Sequence, residues 1–211
     1  MNDPAVALLD LDGTVADYEG AAKREMDTLR SPDEPQMTYV RDEEPQWLKA
    51  RRALVTRQPG FWRNLPLLSL GYAIYGALDE LGFSIHVLTK GPSSKTKSRA
   101  WTEKVDWCRT HLPRAKITIT EEKSLMYGRV LVDDWPEYFL PWAEHRPRGL
   151  VLVPAQPWNI RPPNYFGGNV VRVKSPEWRK QLLGEDATRP DVVPLLKAAR
   201  DRKPGEPLVL P

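Results

Sequence analysis

Five short apolar runs limit most strongly what this chain can become: AVALL (5–9), FSIHVL (83–88), ITI (117–119), RVLV (129–132) and GLVLV (149–153). Each is brief, bounded by polar or turn residues and rich in β-branched side chains, as expected of strands buried on both faces of a parallel sheet. Helical periodicity separates them. Leu70, Ala73, Ile74, Ala77, Leu78 and Leu81 mark one amphipathic helix, closed by Gly82 at a capping position. Trp101, Val105, Cys108 and Leu112 recur at helical spacing in another, with Pro113 as its stop. Strands alternating with helices predict a doubly wound α/β sheet. Ligands of such sheets bind beyond the carboxyl ends of the strands.

Acidic residues gather at those ends. LLDLDGTVADY (8–18) sets Asp10, Asp12 and Asp17 around Gly13 directly after the first run, and Asp133 and Asp134 follow the fourth in RVLVDDW. Buried like charges are costly unless paired or bound to a metal. The sheet would bring two acidic pairs together, a donor set suited to a hard cation such as Mg²⁺. The plainer alternative for Asp133 and Asp134 is helix capping on a solvated edge, and the DLDGT pair weighs against it.

The chain of 211 residues is long enough for one sizeable core with a small inserted subdomain. Its 41% hydrophobic and 28% charged residues fit an ordinary globule, and no apolar run approaches the roughly 20 residues of a membrane helix. A net charge of +3 without a concentrated basic arm argues against a nucleic-acid polymer as partner. The N-terminus MNDPAVALLDLDG lacks the basic region of a signal peptide, and the single Cys108 suits a reducing compartment, so a cytoplasmic monomer or homodimer is expected.

DLDGTVAD resembles the first motif of the haloacid dehalogenase-like phosphohydrolases. The resemblance implies a Rossmann-like core, Asp10 as nucleophile forming an aspartyl-phosphate, and Asp12 as general acid and base. Gly13 would permit a tight turn close to phosphate. Thr89, at the end of VLT, would be the second motif, Lys123 in EEKS the third, and Asp133 with Asp134 the fourth; Asp10, Asp12, Asp133 and Asp134 would serve Mg²⁺. Read without the resemblance, Thr89 could simply end a strand and Lys123 could be solvated surface.

Residues 19–80 between the first two motifs are expected to form a helical cap, with helices around 19–30 and 43–57, over a core of 1–18 and 81–190; 191–211 would be a C-terminal helix and tail. Caps set specificity and exclude water. This one is aromatic: Tyr18, Trp47, Phe61 and Trp62 either line a pocket for a flat ring or form the cap's own core. The chain also resembles the 5'(3')-deoxyribonucleotidases across about residues 5–185. That likeness implies a nucleoside monophosphate substrate, Tyr18, Phe61 and Trp62 beside the base, and Lys104 of EKVDWCRTHLP on the phosphate. Thr89 is followed by Lys90, Gly91 and Pro92, where the family pattern has serine and proline; Lys90 either adds a phosphate contact or turns outward. A phosphatase for another small phosphate, such as a sugar phosphate, and a non-catalytic nucleotide-binding protein are the alternatives. PAQPWNIRPPNYFGGNVVRV is expected to be an ordered loop over one sheet edge, and SPEWRKQLL and 191–202 to be helical.

Overall fold

The computed structural model describes residues 4–35, 44–91, 98–161, 166–174 and 192–211. Six strands form one parallel sheet: β1 (Val6–Leu9), β2 (Ser84–Thr89), β3 (Lys116–Ile119), β4 (Val130–Val132), β5 (Leu150–Pro154) and β6 (Val170–Val173). Their order is β3-β2-β1-β4-β5-β6, so the first strand lies at the centre and the chain winds outward in both directions. Helices α1 (Tyr18–Thr28), α2 (Gln46–Val55), α3 (Ser69–Glu80), α4 (Ser98–His111), α5 (Pro136–His145) and α6 (Val193–Asp201) make the connections and the C-terminal cover.

Alternation along β1 assigns the two faces. Ala7 and Leu9 point into a core that includes Ile74 and Leu78 of α3, Trp107, Cys108 and Leu112 of and just after α4, and Leu196 of α6. Leu8 points to the opposite face, against Phe139 and Trp142 of α5. Both buried indoles keep a partner: Trp107 Nε1 donates to the Leu65 carbonyl at 2.8 Å and Trp142 Nε1 to that of Met126 at 2.9 Å. A smaller cluster of Ala22, Met26 and Val55 joins α1 to α2. Within 19–80, α3 therefore shares the main core, and α1 with α2 packs around a cluster of its own.

Three features depart from the sequence reading. The residues 170–173, expected within a loop, form β6 and pair parallel with β5, Val151 opposite Val170 through Pro154 opposite Val173. Four residues behind a Pro- and Gly-dense approach are too few to show a period. Helix α5 was not anticipated, because Pro141 lies inside it and Pro136 opens it, and proline reads as a breaker except at the first helical position. On α4 the buried face is Ala100, Glu103, Lys104, Trp107 and Cys108, whereas Trp101 is 37% exposed and Val105 only half-buried. Two charged residues at the centre of a helix face defeat a count of apolar spacing.

Helix α3 ends as expected, with Gly82 at φ +74° and Phe83 N–H donating to the Leu78 carbonyl at 3.1 Å. The helix expected over 191–202 is α6, and SPEWRKQLL lies outside the described residues. Arg129, leading into β4, donates from Nη1 to the carbonyls of Arg200 and Arg202, both at 2.6 Å, so a cation closes the C-terminal end of α6. Among the described residues, no helix is long and apolar enough to cross a membrane.

Candidate active site

Register builds the site. Leu9 stands opposite both Val87 of β2 and Val132 of β4, so the chain leaves the sheet at one level on three adjacent strands. Asp10 N–H donates to the Val132 carbonyl at 2.8 Å, and Asp133 N–H to that of Leu152 at 3.2 Å, which places both residues as their strands end. Gly13 then turns at φ +86°, where a β-carbon would come within 2.5 Å of Asp134 Oδ2. Glycine is required there on both counts.

Asp10, Asp133 and Asp134 form a buried cluster, one carboxylate oxygen from each lying within 4.8 Å of the others. Lys123, on a short 3-10 turn at 123–125, donates from Nζ to Asp10 Oδ1 at 2.6 Å and Asp133 Oδ2 at 2.8 Å. Its charged surroundings in the sequence suggested solvent, yet its side chain is 2% exposed. Asp134 is held differently, by neutral donors: Thr14 Oγ1 and Trp158 Nε1 each reach one of its oxygens at 2.8 Å.

Burial pushes the Asp10 carboxyl up to about 7 despite Lys123, with Asp133 and Asp12 adding to the rise. Asp134 lies well above the ordinary carboxylate range, chiefly through burial. Burial works the other way on Lys123, but the Asp10 and Asp133 carboxylates outweigh it and hold its ammonium above the usual lysine range. One cation thus faces three buried carboxyls. An all-oxygen donor set with excess negative charge fits a hard divalent cation, and Asp10, Asp133 and Asp134 are the residues that would hold it.

Asp12 stands apart from this cluster. Its Oδ2 accepts from Lys104 Nζ, which also donates to the Lys90 carbonyl at 3.1 Å and to Thr89 Oγ1 at 3.3 Å. Asp12 Oδ1 is buried without a hydrogen-bond partner among the described residues. The sequence also sets Asp12 among the metal-serving acids; its side chain lies outside the Asp10, Asp133 and Asp134 cluster, with Oδ2 engaged by Lys104.

The acids open onto a cavity of about 250 Å³. On one wall Tyr18 and Trp62 stack at 5.1 Å between centroids and 11° between planes, and Lys104 Nζ lies 4.7 Å from the Trp62 ring centre. On the other stand Trp135, Tyr138 and Trp158. Lys90 lines the cavity with its ammonium 5.4 Å from the Tyr138 ring centre. Phe61 does not line it, but packs edge-on against Tyr18 at 6.0 Å. Trp47 is not brought there either. It is 52% exposed beneath the Arg51 guanidinium at 5.0 Å, because α2 turns Leu48, Arg52 and Val55 inward and leaves Trp47 outside.

Trp135, Tyr138 and Trp158 escaped the sequence reading, although a signal existed. Trp135 directly follows the acidic pair, and Trp158 sits on the loop after β5, where the same strand-end rule applies. That loop also reaches the first acidic turn: Gln156 Nε2 donates to the Gly13 carbonyl at 2.7 Å, and Asn159 Nδ2 to that of Asp134 at 3.0 Å.

The family model "5' nucleotidase, deoxy (Pyrimidine), cytosolic type C protein" matches residues 4–165. Relatives named "Putative 5'(3')-deoxyribonucleotidase" occur in Bordetella pertussis, 27% identical over 84% of this chain and 95% of the relative, and in Bordetella bronchiseptica, 28% identical over the same shares. The magnesium-bound haloacid dehalogenase hydrolase YfnB of Bacillus subtilis superposes with a TM-score of 0.49 at 11% identity, over 87% of this chain and 100% of that one. The protein belongs to the cytosolic type C deoxy 5'-nucleotidase family, and is a nucleotidase-type phosphohydrolase on a parallel α/β core.

Proposed function

We propose that the protein hydrolyses deoxyribonucleoside monophosphates to deoxynucleoside and phosphate, with Asp10 as nucleophile and Mg²⁺ as cofactor. The observation that carries this reading is the buried Asp10, Asp133, Asp134 and Lys123 cluster opening onto a cavity walled by the Tyr18–Trp62 stack. Asp10 attacks phosphorus, forming the carboxylate–phosphorus bond as the ester oxygen departs, and Asp12 supplies the proton that oxygen needs. Water then attacks the aspartyl-phosphate with Asp12 accepting its proton, and phosphate leaves as the Asp10 carboxylate is restored. Lys123 and Lys104 place positive charge where the phosphoryl oxygens gather it, with Thr89, Gly13 and Lys90 around the same group. A divalent cation held by Asp10, Asp133 and Asp134 supplies charge neutralisation between carboxylate and phosphate.

Helices α1 and α2 act as the cap, and the base packs against Tyr18, with Trp62 stacked behind it. The test is phosphate release from a deoxyribonucleoside monophosphate with Mg²⁺ and after chelation. Turnover that needs the metal and is lost in Asp10→Asn supports the reading. Metal-independent turnover, or a fully active Asp10→Asn protein, overturns it.

A further inference from the structure

One buried carboxylate plays no part in the chemistry above. Glu103 of α4 is 2% exposed, one residue before Lys104, and neither of its oxygens faces a lysine or arginine in the described hydrogen-bond set. Both instead receive backbone amides from the aromatic segment QPGFWRN: Gly60 N–H donates to Oε1 at 2.9 Å and Trp62 N–H to Oε2 at 3.2 Å. The segment is shaped for this. Gly60 adopts φ +84°, and Asn64 N–H closes the turn on the Gly60 carbonyl at 3.0 Å. Two amides converging on one anion form a receptor of the kind that backbone nests provide. The same segment presents the Trp62 ring, whose Nε1 donates to the Thr56 carbonyl at 3.0 Å while its faces meet Tyr18 and the Lys104 ammonium.

Successive residues of one helix therefore hold the two parts a ring-bearing phosphate ester must meet together. Lys104 reaches Asp12 and Thr89, and Glu103 reaches the turn that carries the ring platform. We propose that Glu103 is a positioning residue for ring recognition, fixing the 58–64 turn so that Trp62 stays between Tyr18 and Lys104. This rests on the nucleotidase reading and adds the device that ties the cap's aromatic wall to the phosphate end of the site. Glue that merely held α4 in place would affect all substrates alike; a positioning role is selective for substrates with a ring.

The test compares wild type, Glu103→Gln and Glu103→Ala with a deoxyribonucleoside monophosphate and with glycerol phosphate, which has no ring. Glutamine keeps the size and loses the charge, so one amide keeps a neutral acceptor and the other faces an NH₂ donor. KM for the nucleotide is expected to rise roughly tenfold or more, the scale of a charged hydrogen bond, with kcat unchanged and KM for glycerol phosphate unaffected; alanine should widen the split. An equal rise for both substrates, or no rise, overturns the proposal. Wild-type amide exchange gives a second arm that does not depend on any variant folding: Gly60 and Trp62 N–H should exchange slowly, and fast exchange at both overturns it. A wild type that does not distinguish the two substrates would overturn the nucleotidase reading and this proposal together. A discriminating wild type matched by an equally discriminating Glu103→Gln overturns this proposal alone.

Discussion

In the proposed reaction Asp10 is the attacking residue, and its burial bears on stability as well as catalysis. Burial lifts its carboxyl from 3.8 to about 7 in the metal-free protein, so across that interval the folded state holds a proton that the unfolded chain has released. The contribution of Asp10 to stability then falls as pH rises through the interval, and Asp134 is shifted in the same direction. Asp10→Asn has no such carboxyl. Its denaturant midpoint relative to wild type, measured in chelator, should improve from acid to neutral pH, and a difference that shrinks with rising pH would contradict the assignment. The same replacement should lower turnover about a thousandfold or more. At the cavity wall, Tyr18→Leu removes a stacking ring while keeping apolar bulk; it should raise KM for a nucleotide about tenfold and leave glycerol phosphate unaffected. Equal effects on both substrates would reduce Tyr18 to packing. Asp10, Asp12 and Lys123 are named by motif order and Lys104 by the resemblance of its helix to the family, but their division of labour is not. Which carboxylate Lys123 binds, and that Asp12 belongs to Lys104, depends on pairings across 113 and 92 residues of sequence.

Among the elements, strands β1 to β5 and helices α3 and α4 were legible because continuous β-branched runs and helical spacing report burial directly. Where burial was achieved by pairing, the sequence was mute. On α4 the face turns inward at Glu103 and Lys104, since backbone amides and Asp12 await them, and Trp101 moves outward although its apolarity argued the reverse. Helix α5 and strand β6 were hidden by proline, glycine and shortness. Trp47 shows the opposite error, an aromatic residue near a cap that faces solvent because Leu48 and Val55 define the packed side of α2. The end of α6 offers a prediction at this scale. Arg129 is partly buried and binds one carbonyl in the last turn of α6 and one just after it, so Arg129→Ala should cost about 2 kcal/mol of stability from lost charged hydrogen bonds. Thermal unfolding checks it, with kcat expected to stay unchanged; a melting point equal to wild type would mean the contact contributes nothing net.

For the whole molecule, function follows from topology. A central first strand flanked by β2 and β4 ends three strands at one level, which gathers acids far apart in sequence into a single charged floor. Helix α1 and the turn at 58–64 bring the stacked Tyr18 and Trp62 to the cavity above it, and Trp135, Tyr138 and, from the loop after β5, Trp158 add further rings. Floor and wall together define the expected substrate as a small phosphate ester bearing a flat ring. The most direct measurement is phosphate release from a panel of ribo- and deoxyribonucleoside monophosphates alongside sugar phosphates, in Mg²⁺. The account requires kcat/KM to be highest for one or more deoxyribonucleotides, and a preference for sugar phosphates, or equal rates across the panel, would contradict it.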